Sequence, residues 1–181
     1  GIAIHVGEQV YEFHEALREH GRTPVQRLAD AGILGPDAIL GHCRFVAGNS
    51  QTAYPWDDDL MLLAESRSTV AHAPLAGARR GGTLESFQRY LDRGINLAIG
   101  TDTYPLDILA EMRAAALLCK VTEQDQEAAG ARAVFNAATL GGAAGLEFPA
   151  ATDPDVQQAL LNDTAFPDRQ LTIGSLQLKA S

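Results

Sequence analysis

Histidine and acidic residues stand at the ends of four short apolar stretches of the chain. His5 and His42 end the first two, His72 ends the third, Glu8 follows His5 by three positions, and Asp102 comes just after the fourth. Singly, a strand-end histidine is more often structural than functional, and an aspartate after a strand is usually a cap or turn residue. Because all four stretches share the feature, we expect one site built from His5, Glu8, His42 and Asp102; the role of His72 stays open.

These residue types suit a bound metal ion and proton transfer. Neutral imidazole and carboxylate are ligands that Zn²⁺ and Fe²⁺ accept, and such an ion lowers the pKa of its water to about 7. Glu8 is suited to take a proton from that water and pass it to a leaving group. His42 is expected to hold or polarise the water, and Asp102 to ligate the ion and accept a proton.

Strands and helices that alternate along the chain must position these residues. The predicted strands are residues 2–6, 38–43, 68–73 and 95–99. Amphipathic stretches with helical spacing separate them, and this alternation predicts a parallel sheet, whose C-terminal edge is where sites are built. Further helices are predicted over about 106–119, 123–138 and 136–146. Four such units fit either a small open sheet or half of an eight-stranded barrel.

Composition limits the classes of partner. The chain has 181 residues, 46% hydrophobic and 20% charged, with a formal net charge of −9, which is typical of a soluble domain that repels nucleic acid and anionic membranes. No stretch is long enough for a membrane span. We expect Cys43 and Cys119 to be buried free thiols in a reducing cytoplasm, and His14 and His20 to lie on the surface.

Several short motifs resemble one enzyme superfamily. They are His5-Val6-Gly7-Glu8, Gly41-His42-Cys43, Val70-Ala71-His72-Ala73-Pro74, Gly100-Thr101-Asp102 and Asn136-Ala137-Ala138-Thr139-Leu140-Gly141-Gly142-Ala143. In order and spacing they resemble the later strands, and the helix after the barrel, of the amidohydrolase superfamily. The similar branch contains cytosine and guanine deaminases, S-adenosylhomocysteine deaminase and the triazine hydrolases.

The resemblance implies an α/β fold in which residues 1–147 form the C-terminal half, strands five to eight, of a (β/α)8 TIM-like barrel with its following helices. It implies that His5 and Asp102 ligate one Zn²⁺ or Fe²⁺, that Glu8 is the proton shuttle, and that His42 lies near the water and the substrate. The implied reaction is hydrolytic deamination, or a related C–N or C–Cl hydrolysis, of a small N-heterocycle.

Two departures from the family pattern leave alternatives open. The five histidines include no His-x-His pair, and residues 148–181 do not read as the family's usual ending. We therefore expect a piece of a longer protein that pairs with a missing N-terminal half or forms a homo-oligomer. The alternatives are a half-barrel scaffold without tightly bound metal and, more weakly, an open-sheet binding module. Candidate substrate contacts are His72, Trp56 and Tyr104, with Tyr54 and Arg79 as weaker ones.

Overall fold

A computed structural model describes residues 1–56, 58–146, 171–173 and 176–178 of the chain. Its strands in the first 146 residues are β1 (Ile2–Val6), β2 (Ala38–His42), β3 (Thr69–His72) and β4 (Asn96–Ile99). They form one parallel sheet in the order β1-β2-β3-β4. Each strand falls within its predicted stretch, so the parallel α/β prediction is confirmed.

Helices connect the strands and continue after the last one. They are α1 (Val10–His20), α2 (Pro24–Asp30), α3 (Asp58–Ser66), α4 (Pro74–Ala78), α5 (Phe87–Asp92), α6 (Ile108–Glu123), α7 (Ala131–Asn136) and α8 (Gly142–Gly145). A π-helical turn, Ala137–Gly141, joins α7 to α8. Two short antiparallel strands, β5 (Leu171–Ile173) and β6 (Leu176–Leu178), pair with each other. The rest of the predicted tail, 148–181, lies outside the described residues.

Local sequence signals account for the start of α2. The Thr23 hydroxyl accepts a hydrogen bond from the Gln26 N–H, the Gln26 side chain accepts one from the Thr23 N–H, and Pro24 is the first helical residue. This reciprocal pair of hydrogen bonds satisfies backbone N–H groups that have no acceptor within the helix.

One predicted helix boundary was wrong. The sequence favoured a new helix over 123–138, but α6 continues to Glu123 and ends at Gln124, whose φ of 53° is left-handed. The ammonium of Lys120 then donates to the carbonyls of Gln126 and Ala128. These bonds close a turn that keeps α7 from starting before Ala131.

The strand order of the sheet follows the order of the chain. Each strand lies beside its sequence neighbour, so the sheet has no point at which the order reverses, unlike a doubly wound open sheet. The β2, β3 and β4 strands contribute Leu40, Val70 and Leu97 to the main apolar core. By contrast, Ile2 and Ile4 of the edge strand β1 are 45% and 37% exposed.

The structure confirms the sequence predictions for the two cysteines and for two of the histidines. Cys43 and Cys119 are free and buried, and His14 and His20 are exposed, as expected. Within the described ranges, no helix has the length and apolar character needed to cross a membrane.

Candidate metal centre

His5 reaches the C-terminal edge of the sheet over a glycine of the neighbouring strand. His5 and Gly41 are register partners in the β1–β2 pair, so their Cβ directions lie on the same face of the sheet. A Cβ added to Gly41 would lie only 2.8 Å from His5 Cδ2. Gly41 therefore makes the room that the His5 imidazole occupies.

His42 turns toward His5 because the strand ends there. Its φ is 71° and that of Cys43 is 45°, left-handed values that are uncommon for residues with a side chain and are concentrated at functional sites. The rings of His5 and His42 contact edge to face, with centroids 4.9 Å apart. His5 is exposed, whereas His42 is 6% exposed.

Hydrogen bonds to both the N–H groups and a carbonyl of its backbone fix the loop that carries Glu8. The Glu12 carboxylate accepts from the Gly7 N–H at 2.9 Å and from the Glu8 N–H at 3.1 Å. The Gly7 carbonyl accepts from the N–H groups of Arg44 and Phe45. These contacts hold the start of α1 against the loop after β2, which brings Glu8 to the two histidines.

Glu8 is a partly exposed carboxylate among positive neighbours. Its Oε2 lies 3.8 Å from His42 Nε2, and its Oε1 pairs with the Arg80 guanidinium. Burial acts to raise the pKa of Glu8, but the hydrogen bond from Arg80 and the charges of His42, Arg80 and His5 outweigh it. The pKa is therefore lower than usual, and at neutral pH Glu8 is an ionised proton acceptor.

Three of the predicted site residues converge, and their chemistry fits a divalent cation. Ligand atoms of His5, Glu8 and His42 all lie within 4.8 Å of one another. Burial is the largest influence on His42 and lowers its pKa, although Glu8 and Asp102 act in the opposite direction. Because a metal binds the neutral form of imidazole, this shift favours ligation near neutral pH.

Asp102 lies outside that group of three. It follows β4, is exposed and has a left-handed φ of 55°, yet it is close enough for its charge to raise the pKa of His42. The loop beyond it is tied to α4, because Arg79 Nη1 donates to Thr103 Oγ1 at 3.2 Å and to the Tyr104 carbonyl at 2.8 Å.

The candidate substrate residues lie in three different surroundings. His72 is only 2% exposed, 6.4 Å from the Phe87 ring between centroids. The Trp56 side chain is 59% exposed and meets the Tyr54 ring, and Tyr104 is 86% exposed. Of the three, His72 has a metal-ligating side chain, and among the described residues it is not part of the group of His5, Glu8 and His42.

Sequence reasoning missed two arginines at this site. Arg80 pairs with Glu8, and Arg44 is buried beside it, with an exposure of 5%. The signal for Arg44 was a charge inside the otherwise apolar run Cys43-Arg44-Phe45-Val46. For Arg80 it was a pair of arginines next to Gly81 and Gly82, since glycines let other groups approach closely.

Several known deaminases are similar to this chain in sequence or in fold. The 5'-deoxyadenosine deaminase of Methanothermobacter thermautotrophicus is 38% identical over 149 residues, covering 80% of this chain and 33% of that protein. The 5-methylthioadenosine/S-adenosylhomocysteine deaminase of Thermococcus onnurineus is 34% identical over 171 residues, covering 92% and 38%. A zinc-bound adenosine deaminase from Xanthomonas campestris superimposes with a TM-score of 0.69 at 28% identity, covering 81% and 32%.

Residues 1–150 match the Amidohydrolase family, and the chain belongs to that family. The resemblance to its deaminase branch is confirmed by these relatives. The chain spans roughly a third of the length of the curated relatives it matches.

Proposed function

We propose that this chain carries part of the active site of a metal-dependent hydrolase that removes an amino group from an N-heterocycle. The observation that carries the proposal is the convergence of His5, Glu8 and His42, whose ligand atoms lie within 4.8 Å of one another at the C-terminal edge of a parallel sheet. Relatives named as deaminases of 5'-deoxyadenosine and of S-adenosylhomocysteine support this substrate class.

In this proposal, His5 and Asp102 hold a single Zn²⁺ or Fe²⁺. The chain contains no His-x-His pair, so the remaining ligands come from protein outside it, and β1 to β4 act as strands five to eight of the barrel. The sequential parallel order of the strands supports that assignment. A divalent ion supplies Lewis-acid chemistry that makes hydroxide available near neutral pH.

Glu8 moves the proton in the proposed reaction. Water adds its oxygen to the ring carbon, the C–N bond breaks, and the amino group leaves as ammonia. Glu8 accepts a proton at a carboxylate oxygen from the attacking water and delivers it to the departing nitrogen. His42, 3.8 Å from Glu8 Oε2, orients the water, and Arg80 keeps Glu8 ionised between turnovers.

Glu8→Gln in the full-length protein tests the proton-shuttle role. Glutamine keeps the shape of the side chain but cannot accept and return the proton. We expect ammonia release from an amino-heterocycle to fall by about 10²–10⁴-fold, with metal content unchanged by elemental analysis.

Glu15→Gln is the matched control, because Glu15 lies exposed on α1 and pairs with Arg18 on the same helix. Unchanged turnover in Glu8→Gln would refute the shuttle. Absence of stoichiometric metal from the purified wild-type protein would instead favour the scaffold without tightly bound metal.

A further inference from the structure

The turn that presents His42 has an unfavourable backbone conformation. His42 and Cys43 both have left-handed φ values, 71° and 45°, which residues with side chains seldom adopt in succession. Such backbone persists only where the surrounding contacts fix it. The contacts of this turn therefore decide where the His42 ring lies.

The peptide group between Cys43 and Arg44 is hydrogen-bonded at both of its ends. Its N–H, which belongs to Arg44, donates to the Gly7 carbonyl at 3.0 Å. Its carbonyl, which belongs to Cys43, accepts from the Tyr90 hydroxyl at 2.6 Å. Since Gly7 directly precedes Glu8, this one peptide group joins the loop that carries Glu8 to Tyr90 of α5.

The Tyr90 hydroxyl reaches Cys43 from inside the apolar core. Tyr90 is 2% exposed and belongs to the main core cluster. Burial raises the pKa of Tyr90 well above its ordinary value, so the hydroxyl keeps the proton that it donates. A buried tyrosine needs a partner for its hydroxyl, and here the partner is a backbone carbonyl next to the candidate metal centre.

Two neighbours of Tyr90 hold more distant parts of the loop after β2. Arg89 Nη1 donates to the Gly48 carbonyl at 3.0 Å, and the Glu85 carboxylate accepts from the Ser50 N–H at 2.9 Å. These two contacts fix the middle of the loop, whereas Tyr90 binds the residue that directly follows β2.

The side chain of Arg44 makes the effect of Tyr90 local. A Cβ on Gly82 would lie 2.5 Å from Arg44 Nη2, and a Cβ on Gly77 would lie 3.2 Å from Arg44 Nη1, so the guanidinium fits closely against two glycines. Because Arg44 is anchored in this way, loss of the Tyr90 contact should rotate the peptide group before Arg44 rather than displace the whole loop.

We propose that Tyr90 is a positioning residue for His42. Its hydroxyl sets the orientation of the peptide group that follows Cys43. It thereby maintains the turn in which His42 Nε2 lies 3.8 Å from Glu8 Oε2. The consequence for turnover rests on the proposed function, in which His42 orients the attacking water.

Tyr90→Phe in the full-length, metal-loaded protein removes the hydroxyl alone. We expect kcat for ammonia release from 5'-deoxyadenosine to fall about tenfold, because a small displacement of an orienting group weakens catalysis. KM should stay within about threefold, since the buried hydroxyl itself contacts no substrate.

Thr52→Val is the matched control. Thr52 is 1% exposed, and its hydroxyl also donates to a carbonyl of the same loop, that of Asn49 at 2.7 Å. A merely structural role for Tyr90 predicts the same effect from both variants. Positioning of His42 predicts a loss of kcat in Tyr90→Phe alone.

A double-mutant cycle tests whether Tyr90 acts through His42. In a His42→Gln background, Tyr90→Phe should change the residual kcat by less than about twofold. A second tenfold loss in that background would overturn the proposal, because the hydroxyl would then act by another route.

Side-chain NMR of the protein with isotopically labelled histidine gives a readout that does not depend on turnover. The His42 signals, assigned by their loss in His42→Gln, should shift in Tyr90→Phe and stay unchanged in Thr52→Val. No shift in Tyr90→Phe, or an equal shift in both variants, would overturn the proposal. If the wild type releases no ammonia while the selective shift is observed, the positioning of His42 stands and the proposed function fails.

Discussion

The imidazole rings of His5 and His42 meet edge to face, with their centroids 4.9 Å apart. They come from adjacent parallel strands and are brought together by two backbone features. Gly41 leaves its side-chain position open to His5, and the left-handed φ of His42 ends β2 there. The candidate metal centre thus depends on backbone geometry as well as on the side chains that could bind a metal.

Gly41→Ala should weaken metal binding while leaving the fold intact. The new methyl group would lie 2.8 Å from His5 Cδ2, so the ring must move, whereas the extended backbone of β2 accepts alanine. We expect the metal dissociation constant of the full-length protein to rise by about 10–100-fold, as for the loss of a group that orients a ligand. Gly142→Ala is the control, and equal affinities in both variants would contradict the role of Gly41.

Arg79→Ala should loosen the loop that carries Asp102. The arginine holds Thr103 and Tyr104 through two hydrogen bonds from one guanidinium nitrogen, and it is exposed, so the free energy of unfolding should barely change. We expect metal affinity to fall by up to about tenfold. Metal competition titration checks this, with Arg113→Ala on the outer face of α6 as the matched variant. A large drop in melting temperature would show instead that Arg79 supports the fold.

His72 should make the protein sensitive to acid. Its pKa is about 3 in the folded state against 6.5 ordinarily, so below about pH 6.5 the unfolded chain binds a proton that the folded protein excludes. The stability contributed by neutral His72 is full above the unfolded pKa and is lost as the pH falls toward 3. Between about pH 7 and pH 5 this loss is about 2 kcal/mol.

Urea unfolding of His72→Gln at the two pH values checks that expectation. The decrease in the free energy of unfolding between them should shrink by about that amount relative to the wild type. His14→Gln, a change at an exposed position on α1, should keep the full decrease because His72 is intact. The same decrease in all three proteins would mean that His72 is not the acid-sensitive group.

Asp59 should stabilise the fold without taking part in the candidate metal centre. It is 0% exposed, and its carboxylate accepts from Thr23 Oγ1 at 2.5 Å and from the Ala47 N–H at 2.7 Å, which joins α2, α3 and the loop after β2. Asp59→Ala leaves both donors buried and unpaired, at a cost of about 2–4 kcal/mol. Thermal unfolding measures the loss, and Asp58→Ala, on the exposed side of α3, should cost far less.

The sequence by itself determined the elements and the residues at their ends. Apolar runs and helical spacing predicted β1 to β4 almost to the residue, because those patterns follow from which faces are buried. The order of the motifs that contain His5, His42 and Asp102 indicated the family, which the match over residues 1–150 shows. The local hydrogen bonding that ends α6 at Gln124 left no comparable pattern, so that boundary was predicted wrongly.

Only the tertiary structure decided which polar groups meet. Glu8 and Arg44 lie in the loops after β1 and β2, whereas Arg80 lies after α4. The pairing of Glu8 with Arg80 therefore requires the segment after α4 to reach across the sheet edge. The tertiary structure also decided that His5, Glu8 and His42 form one group and that Asp102 lies outside it. The sequence had predicted one site from all four residues. Sequence patterns encode burial along one element, whereas contacts between loops depend on backbone angles and on the space that Gly41, Gly77 and Gly82 leave open.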